Sequence, residues 1–212
     1  MLLITLFILS VHSLCDHRDI LNEASYDSDT ASCFSSQHTY VALTALMSDG
    51  TVNSNIASNN LVFRSAGYAK SYIDYVMKIC VTCGNVAGQI SSYKSKTATT
   101  SHNGVIVEIL QGSWYSSTSK NQEEYETIVT ELGKLTERIT ILSSKNDWTT
   151  LFGKNYQNAE SAQFRLIYVG DSNENFDDFE AFGGWTKADE KMKPSSTLVC
   201  SNLVRQTVLD CE

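Results

Sequence analysis

Short apolar runs alternate along the chain with amphipathic stretches, and this alternation predicts strands separated by helices. Residues 104–110 are almost continuously apolar, which is typical of a strand buried on both faces of a parallel sheet. Residues 122–135 carry apolar side chains at helical spacing, with charged residues between them. Ser144, followed by Asp147, resembles a helix-capping pair. Further strands are predicted at residues 40–46, 72–79, 138–142, 164–169 and from 197 onward, and further helices at residues 53–66 and 148–152.

The order of these elements predicts an α/β fold, because strands separated by helical stretches form parallel βαβ units. A chain of this length with about eight strands fits either a closed β/α barrel with shortened helices or an open doubly wound sheet. The sequence contains neither G-x-G-x-x-G nor G-x-x-x-x-G-K-[ST], so a nucleotide-binding open sheet lacks support. The composition shows no break, and we therefore expect one domain.

The N-terminus carries a separate signal. Residues 2–11 are apolar apart from Thr5 and Ser10, a run too short to span a bilayer but typical of the core of a signal peptide. A small residue, Ser13, follows at a suitable cleavage position. We expect residues 1–13 to be a signal peptide and residues 14–212 to be the exported, extracellular domain. The alternative is a buried N-terminal strand or helix.

Charge and cysteine content narrow the possible partners. The formal net charge of −8 argues against nucleic acid and against anionic membrane surfaces as partners, because both require clustered Lys and Arg.

All six cysteines follow residue 13, and an even number in an exported chain predicts disulfides whose pairing the sequence does not reveal. Cys80 and Cys83 form a C-x-x-C, but with no second such pair and no His pair at ligand spacing we expect neither a metal nor a cofactor.

Two segments resemble a known family. Residues 176–187 (FDDFEAFGGWTK) look like the FxDFxxFGGWxK segment of lysozyme-like proteins of glycoside hydrolase family 25. Residues 80–89 (CVTCGNVAGQ) resemble the CxxCGNxAGQ segment of its nematode branch. With weaker similarities in the same order, the resemblance extends from about residue 25 to residue 205. It implies a single β/α barrel of eight strands with some helices shortened or missing, in a family that cleaves peptidoglycan after N-acetylmuramic acid.

The catalytic positions that the resemblance implies are substituted in this chain. Active members end the fourth strand in Asp-x-Glu, whose Glu is the general acid, and the matching residues here are Glu108 and Leu110. Active members carry Asp-x-Asp on the last strand, and counting from Cys200 gives Leu203 and Arg205. The resemblance therefore implies that three of the family's carboxylate positions hold residues that cannot act as acids or bases.

The remaining carboxylate, on the first strand, aligns loosely with Glu23, with Asp27 or Asp29 as alternatives. Glu108 and Glu23 are thus the candidate catalytic residues. Glycoside hydrolysis needs two carboxyl groups that flank the bond, and an Arg brings positive charge where the oxocarbenium-like transition state requires negative charge.

Two functional hypotheses follow. In the first, the protein is a secreted relative of muramidases that acts in innate defence or digestion and binds cell-wall glycan, or a protein partner, with little or no hydrolysis. The alternative is an active muramidase that uses Glu108 and a shifted second carboxylate to degrade bacterial wall.

The signal-peptide prediction can be tested by expression in a secretory cell. We expect the protein to accumulate in the medium with an N-terminus near Leu14, because the apolar run at residues 2–11 directs export and is then removed. N-terminal sequencing of the secreted product measures this. A product that begins at Met1 and stays in the cytosol would contradict it.

Overall fold

Eight strands close into a barrel at the centre of the protein, which confirms the barrel and excludes the open sheet. The computed structural model describes residues 16–209; the predicted signal peptide, Cys15 and Cys211 lie outside this range. Neighbouring strands in the barrel follow the order of the chain. The strands are β1 (His17–Leu21), β2 (Tyr40–Leu46), β3 (Ile73–Met77), β4 (Gly104–Ile109), β5 (Arg138–Ser143), β6 (Arg165–Val169), β7 (Glu190–Val199) and β8 (Asn202–Leu209).

One α-helix follows each of the first five strands. These helices are α1 (Ser28–Gln37), α2 (Ile56–Ser65), α3 (Val86–Thr97), α4 (Thr118–Leu132) and α5 (Lys145–Phe152). The predicted cap of α5 is confirmed, because the Oγ of Ser144 accepts the backbone N–H of Asp147 at 2.9 Å. In the described chain, the connection between β6 and β7 contains no α-helix, as expected for a barrel with missing helices. None of the described helices is long and apolar enough to cross a membrane.

The last strand departs from the predicted parallel pattern. Strands β1 to β7 pair in parallel, but β8 pairs antiparallel with both β7 and β1. Residue 197, predicted to begin the last strand, instead lies near the end of β7. The turn that follows has Cys200 at φ 49° and Ser201 at φ 62°, the left-handed conformation that a two-residue hairpin turn requires. Neither residue is Gly or Asn, so the usual hairpin signal is missing from the sequence.

The barrel interior is filled in layers, because alternate residues of each strand point inward. A middle apolar layer takes one residue from each of the first seven strands: Ile20, Ala42, Val76, Ile106, Leu142, Ile167 and Met192. Towards the N-terminal ends of the strands the interior becomes charged. There Arg18 forms buried ion pairs with Glu190 and, at 3.1 Å, with Asp74. Gly104 permits close packing beside this layer, since a Cβ would lie 2.6 Å from the backbone oxygen of Arg138 and 3.1 Å from Oδ1 of Asp74.

The segment that carries the family resemblance closes the outside of the barrel after β6. Trp185 packs edge-on against Trp148 with ring centroids 5.2 Å apart, and its indole N–H donates to the backbone oxygen of Phe164. Gly183 has φ 63°, and a Cβ there would lie 2.8 Å from atoms of both Trp rings. The two Trp rings therefore require glycine at this position, so Gly183 serves to pack the wall of the barrel.

Two acidic residues of the connection between β6 and β7 neutralise a buried lysine on the outer face of β7. The ammonium of Lys191, which is fully buried, contacts carboxylate oxygens of Asp171 and, at 2.6 Å, of Asp178. Burial alone would raise the pKa of Asp178, but hydrogen bonds from Lys191 and Tyr168 lower it to about 2. Asp171 and Asp178 thus fix the connection between β6 and β7 to the barrel.

Two disulfides lie in the described chain, consistent with the expectation that the cysteines pair. Cys33 in α1 is bonded to Cys200 at the turn of the β7–β8 hairpin, across a sequence separation of 167. Cys80 and Cys83 form a local bridge across a separation of 3. The first bridge ties the end of the barrel to its beginning, whereas the second constrains one loop.

The difference in loop length gives a matched test. We expect the pair Cys33→Ser and Cys200→Ser to lower the free energy of unfolding by about 2–5 kcal/mol, because a long closed loop restricts the unfolded chain most. The pair Cys80→Ser and Cys83→Ser, which opens a very short loop, should cost clearly less. Urea denaturation of both variants measures this, and equal losses would contradict the expectation.

Candidate functional site

The C-terminal ends of the strands form a polar mouth above the apolar middle layer. Glu108 lies on β4, and Asn22 and Lys78 directly follow β1 and β3. Each lies two residues beyond a middle-layer residue, so its side chain shares the inward direction of that residue. Arg205 reaches the same place from β8, as its contact with Glu108 shows. β/α barrels place their active sites at this end of the strands. We call these four residues the mouth cluster.

Hydrogen bonds join the mouth cluster into one network. Nη2 of Arg205 donates to Oε1 of Glu108 in an ion pair, and makes a longer contact of 3.4 Å with Oδ1 of Asn22. Nζ of Lys78 donates to the same Asn22 oxygen at 2.8 Å. The network therefore contains two cationic side chains, one carboxylate and one neutral amide, which gives it one net positive charge.

The network is largely shielded from water. The side chain of Glu108 is 10% exposed and that of Arg205 is 19% exposed, so their attraction is less screened than that of a surface pair. Burial lowers the pKa of Lys78; the charge of Glu108 opposes this effect and that of Arg205 adds to it. Lys78 is thus a partly buried ammonium whose direct acceptor, Asn22, carries no charge.

A pocket of about 190 Å³ opens beside the network. Leu110 lines one side and also packs against the middle layer of the barrel. Trp114 lines another side and is held edge-on against Phe152, with ring centroids 5.1 Å apart. The remaining lining residues are Ser48, Lys78, Ile79, Glu108, Gln111, Gly112 and Ser113. A larger groove of about 400 Å³ lies between α1 and α2 near His38, but none of the mouth cluster lines it.

The structure brings three of the sequence-predicted positions together and separates a fourth. Glu108, Leu110 and Arg205 meet at the mouth. Leu203 lies outside it, with 63% of its surface exposed, opposite Leu198 in the hairpin. The pairing of β8 with β1 extends only as far as Arg205, which lies opposite Ile20, so Leu203 belongs to the part of the hairpin that projects beyond the barrel.

Glu23 is not part of the mouth cluster. It is exposed, and its backbone N–H donates to the hydroxyl of Tyr26 at 2.7 Å. The preceding residue, Asn22, is the one that reaches the mouth from β1. Of the two alternatives, Asp27 caps α1 by accepting the N–H of Thr30, and Asp29 is exposed in the first turn of that helix.

Sequence reasoning missed three polar residues at this end of the barrel. Asn22 was missed because β1 was not recognised, and Lys78 because it was included in a strand predicted to continue to residue 79. For Lys78 the sequence did offer a signal, because it lies two residues after the inward-facing Val76. Asp147 lies at the rim, where its carboxylate accepts the N–H of Gln111 at 3.3 Å and the hydroxyl of Ser144 at 2.5 Å. These bonds hold Asp147 as a link between two loops.

Comparison with known proteins gives a consistent class, that of lysozyme-like β/α barrels. A family model described as "Lysozyme-like protein 1" matches residues 18–193. Probable GH family 25 lysozyme 2 from Dictyostelium discoideum is 30% identical over 195 residues, which cover 90% of this chain and 89% of that protein. Probable GH family 25 lysozyme 3 from the same organism is 26% identical over 208 residues, but the match spans only 42% of its length.

A solved structure agrees on the fold. The bacterial lysozyme from Streptomyces coelicolor superposes with a TM-score of 0.70 at 10% identity, with 94% of each chain covered. The chain therefore belongs to the lysozyme-like proteins of glycoside hydrolase family 25.

Proposed function

We propose that this protein is an exported, lysozyme-like protein that binds bacterial cell-wall glycan and hydrolyses it weakly or not at all, in defence against bacteria or in digestion. The observation that carries this proposal is the ion pair between Glu108 and Arg205. In it, the guanidinium of Arg205 engages the Glu108 carboxylate at the barrel mouth. The relatives named as lysozymes supply the class of ligand.

The chemistry of glycoside cleavage supports weak or absent hydrolysis. One carboxyl group must donate a proton to the leaving oxygen while a second acts as base or nucleophile. Leu110, at the position that matches the family's acid, has no proton to donate. Glu108 already accepts a hydrogen bond from Arg205, and the two cations of the mouth cluster oppose the positive charge that develops on the sugar. General acid–base assistance is commonly worth about 10²–10⁴-fold in rate, and we expect at least that loss.

Two features support export. The apolar run at residues 2–11 is typical of a signal peptide, and disulfides such as Cys33–Cys200 form and persist in oxidising compartments. A long-range disulfide that ties the β7–β8 hairpin to α1 suits a protein that must stay folded outside the cell.

Restoring the carboxylates is the most informative test of lost hydrolysis. We expect the natural protein to cause little or no loss of turbidity in a suspension of bacterial walls, while sedimenting with them. The triple variant Glu108→Asp, Leu110→Glu and Arg205→Asp should gain measurable lysis, because it returns carboxyl groups to the mouth and removes one cation. Leu203 is left unchanged, since it lies outside the mouth. Leu110→Glu alone should do little while Arg205 remains.

The natural protein provides the opposing outcome. If it lyses walls well, and Glu108→Gln and Asp147→Asn each abolish that lysis in a folded protein, then Glu108 works with a shifted second carboxylate and the proposal is wrong. Circular dichroism of each variant controls for loss of folding.

A further inference from the structure

We infer that the mouth cluster binds a sugar whose ring carries a single carboxylate, a hexuronic acid, with Lys78 as the residue that pairs with that carboxylate. This inference deepens the proposed function, because it names the ligand class for the same cleft. It starts from the sign of the charge at the mouth. The chain as a whole carries −8, yet the mouth cluster carries one net positive charge.

Lys78 is the cation that is available to a ligand. The guanidinium of Arg205 is engaged by Glu108, whereas the ammonium of Lys78 donates to the neutral oxygen of Asn22. An ammonium has three donors, and Lys78 lines the pocket. Burial has lowered its pKa, so a carboxylate placed beside it would restore the interaction that the ammonium lost with water.

The nearby carboxylates do not already fill this role. Glu108 is held by Arg205, and the carboxylate of Asp147 accepts the N–H of Gln111 and the hydroxyl of Ser144. A ligand carboxylate in the pocket would therefore meet an ammonium that forms no direct ion pair with any carboxylate of the described residues. A charge-assisted hydrogen bond from Lys78 to the carboxylate of a ligand is among the stronger polar contacts.

The shape of the pocket favours a single sugar ring. Its volume of about 190 Å³ is below the range of about 300–1,000 Å³ found for drug-sized ligands. Leu110 and Trp114 supply apolar surface for the face of the ring, while Lys78 lies among the other lining residues to receive its carboxylate. The rest of a glycan chain would continue along the open side of the mouth.

Two methyl glycosides that differ only at C6 test this inference. We expect methyl glucuronide to bind the purified protein about tenfold more tightly than methyl glucoside in calorimetric titration, since one charge-assisted hydrogen bond separates them. Lys78→Met should remove this preference, and Lys78→Arg should keep most of it. Lys154→Met, at an exposed lysine that does not line the pocket, is the matched control and should leave both affinities unchanged. Added salt should weaken the glucuronide more than the glucoside.

A second variant keeps the test decisive. Glu108→Gln releases Arg205 and should strengthen binding of the glucuronide. Equal affinity for the two glycosides, no binding of the glucuronide, or the same loss in Lys154→Met as in Lys78→Met would overturn the inference. Wall sedimentation without any preference for the glucuronide would leave the proposed function standing while this inference fails. Preference for the glucuronide without wall binding would support this inference and contradict the proposed function.

Discussion

The ion pair between Glu108 and Arg205 defines the chemistry of this barrel's mouth. It joins β4 to β8 across the top of the interior, and both side chains are mostly withdrawn from water. Strand register fixes where these groups lie, because shifting a strand by one residue would move its side chains from the interior to the outer face. Arg205 can reach Glu108 because β8 runs antiparallel between β7 and β1 and places Arg205 opposite Ile20.

Charged groups occupy both ends of the barrel, but they serve different purposes. At the N-terminal end, Arg18 is enclosed by Asp74 and Glu190, and Arg18 and Glu190 have almost no exposed surface. Removing one partner from such a buried pair leaves an uncompensated charge, which is strongly destabilising. At the C-terminal end the pair borders an open pocket, and Lys78 contacts no carboxylate among the residues that the structure describes. The first end holds the strands together, while the second is accessible to a ligand.

Sequence reasoning was most successful where burial dictates a continuous apolar run. Strands β2, β4, β5 and β6, together with α4, were predicted close to their observed positions because their apolar side chains leave a clear pattern. It did not predict α1 or α3. α1 is rich in Ser and buries only two apolar side chains, and in α3 the buried apolar residues are interrupted by Ser, Lys and Thr. Asp27 and Asn85 begin these two helices as N-caps, a local signal that was not used. The antiparallel β8 was missed because its turn uses Cys200 and Ser201 in a conformation that normally favours Gly or Asn.

The candidate site shows the same division. Glu108, Leu110 and Arg205 were found through a resemblance to family motifs, and the structure brings them together. On the first strand the sequence pointed to Glu23 instead of its neighbour Asn22, because β1 is only five residues long and offers no clear pattern. Leu203 shares the alternation of Arg205 along β8, but the hairpin carries it beyond the barrel. Sequence spacing can assign a face to a residue, but it does not reveal where a strand leaves the barrel.

The most direct test of the central ion pair is a double-mutant cycle on the free energy of unfolding. Glu108→Gln, Arg205→Met and the double variant would be compared by urea denaturation at neutral pH. We expect a favourable coupling energy of about 1–3 kcal/mol, because residues in contact within one ion-pair network do not act independently. Effects that add to within about 0.5 kcal/mol would show that Arg205 does not hold Glu108. They would contradict the claim that the Glu108 carboxylate is engaged by Arg205.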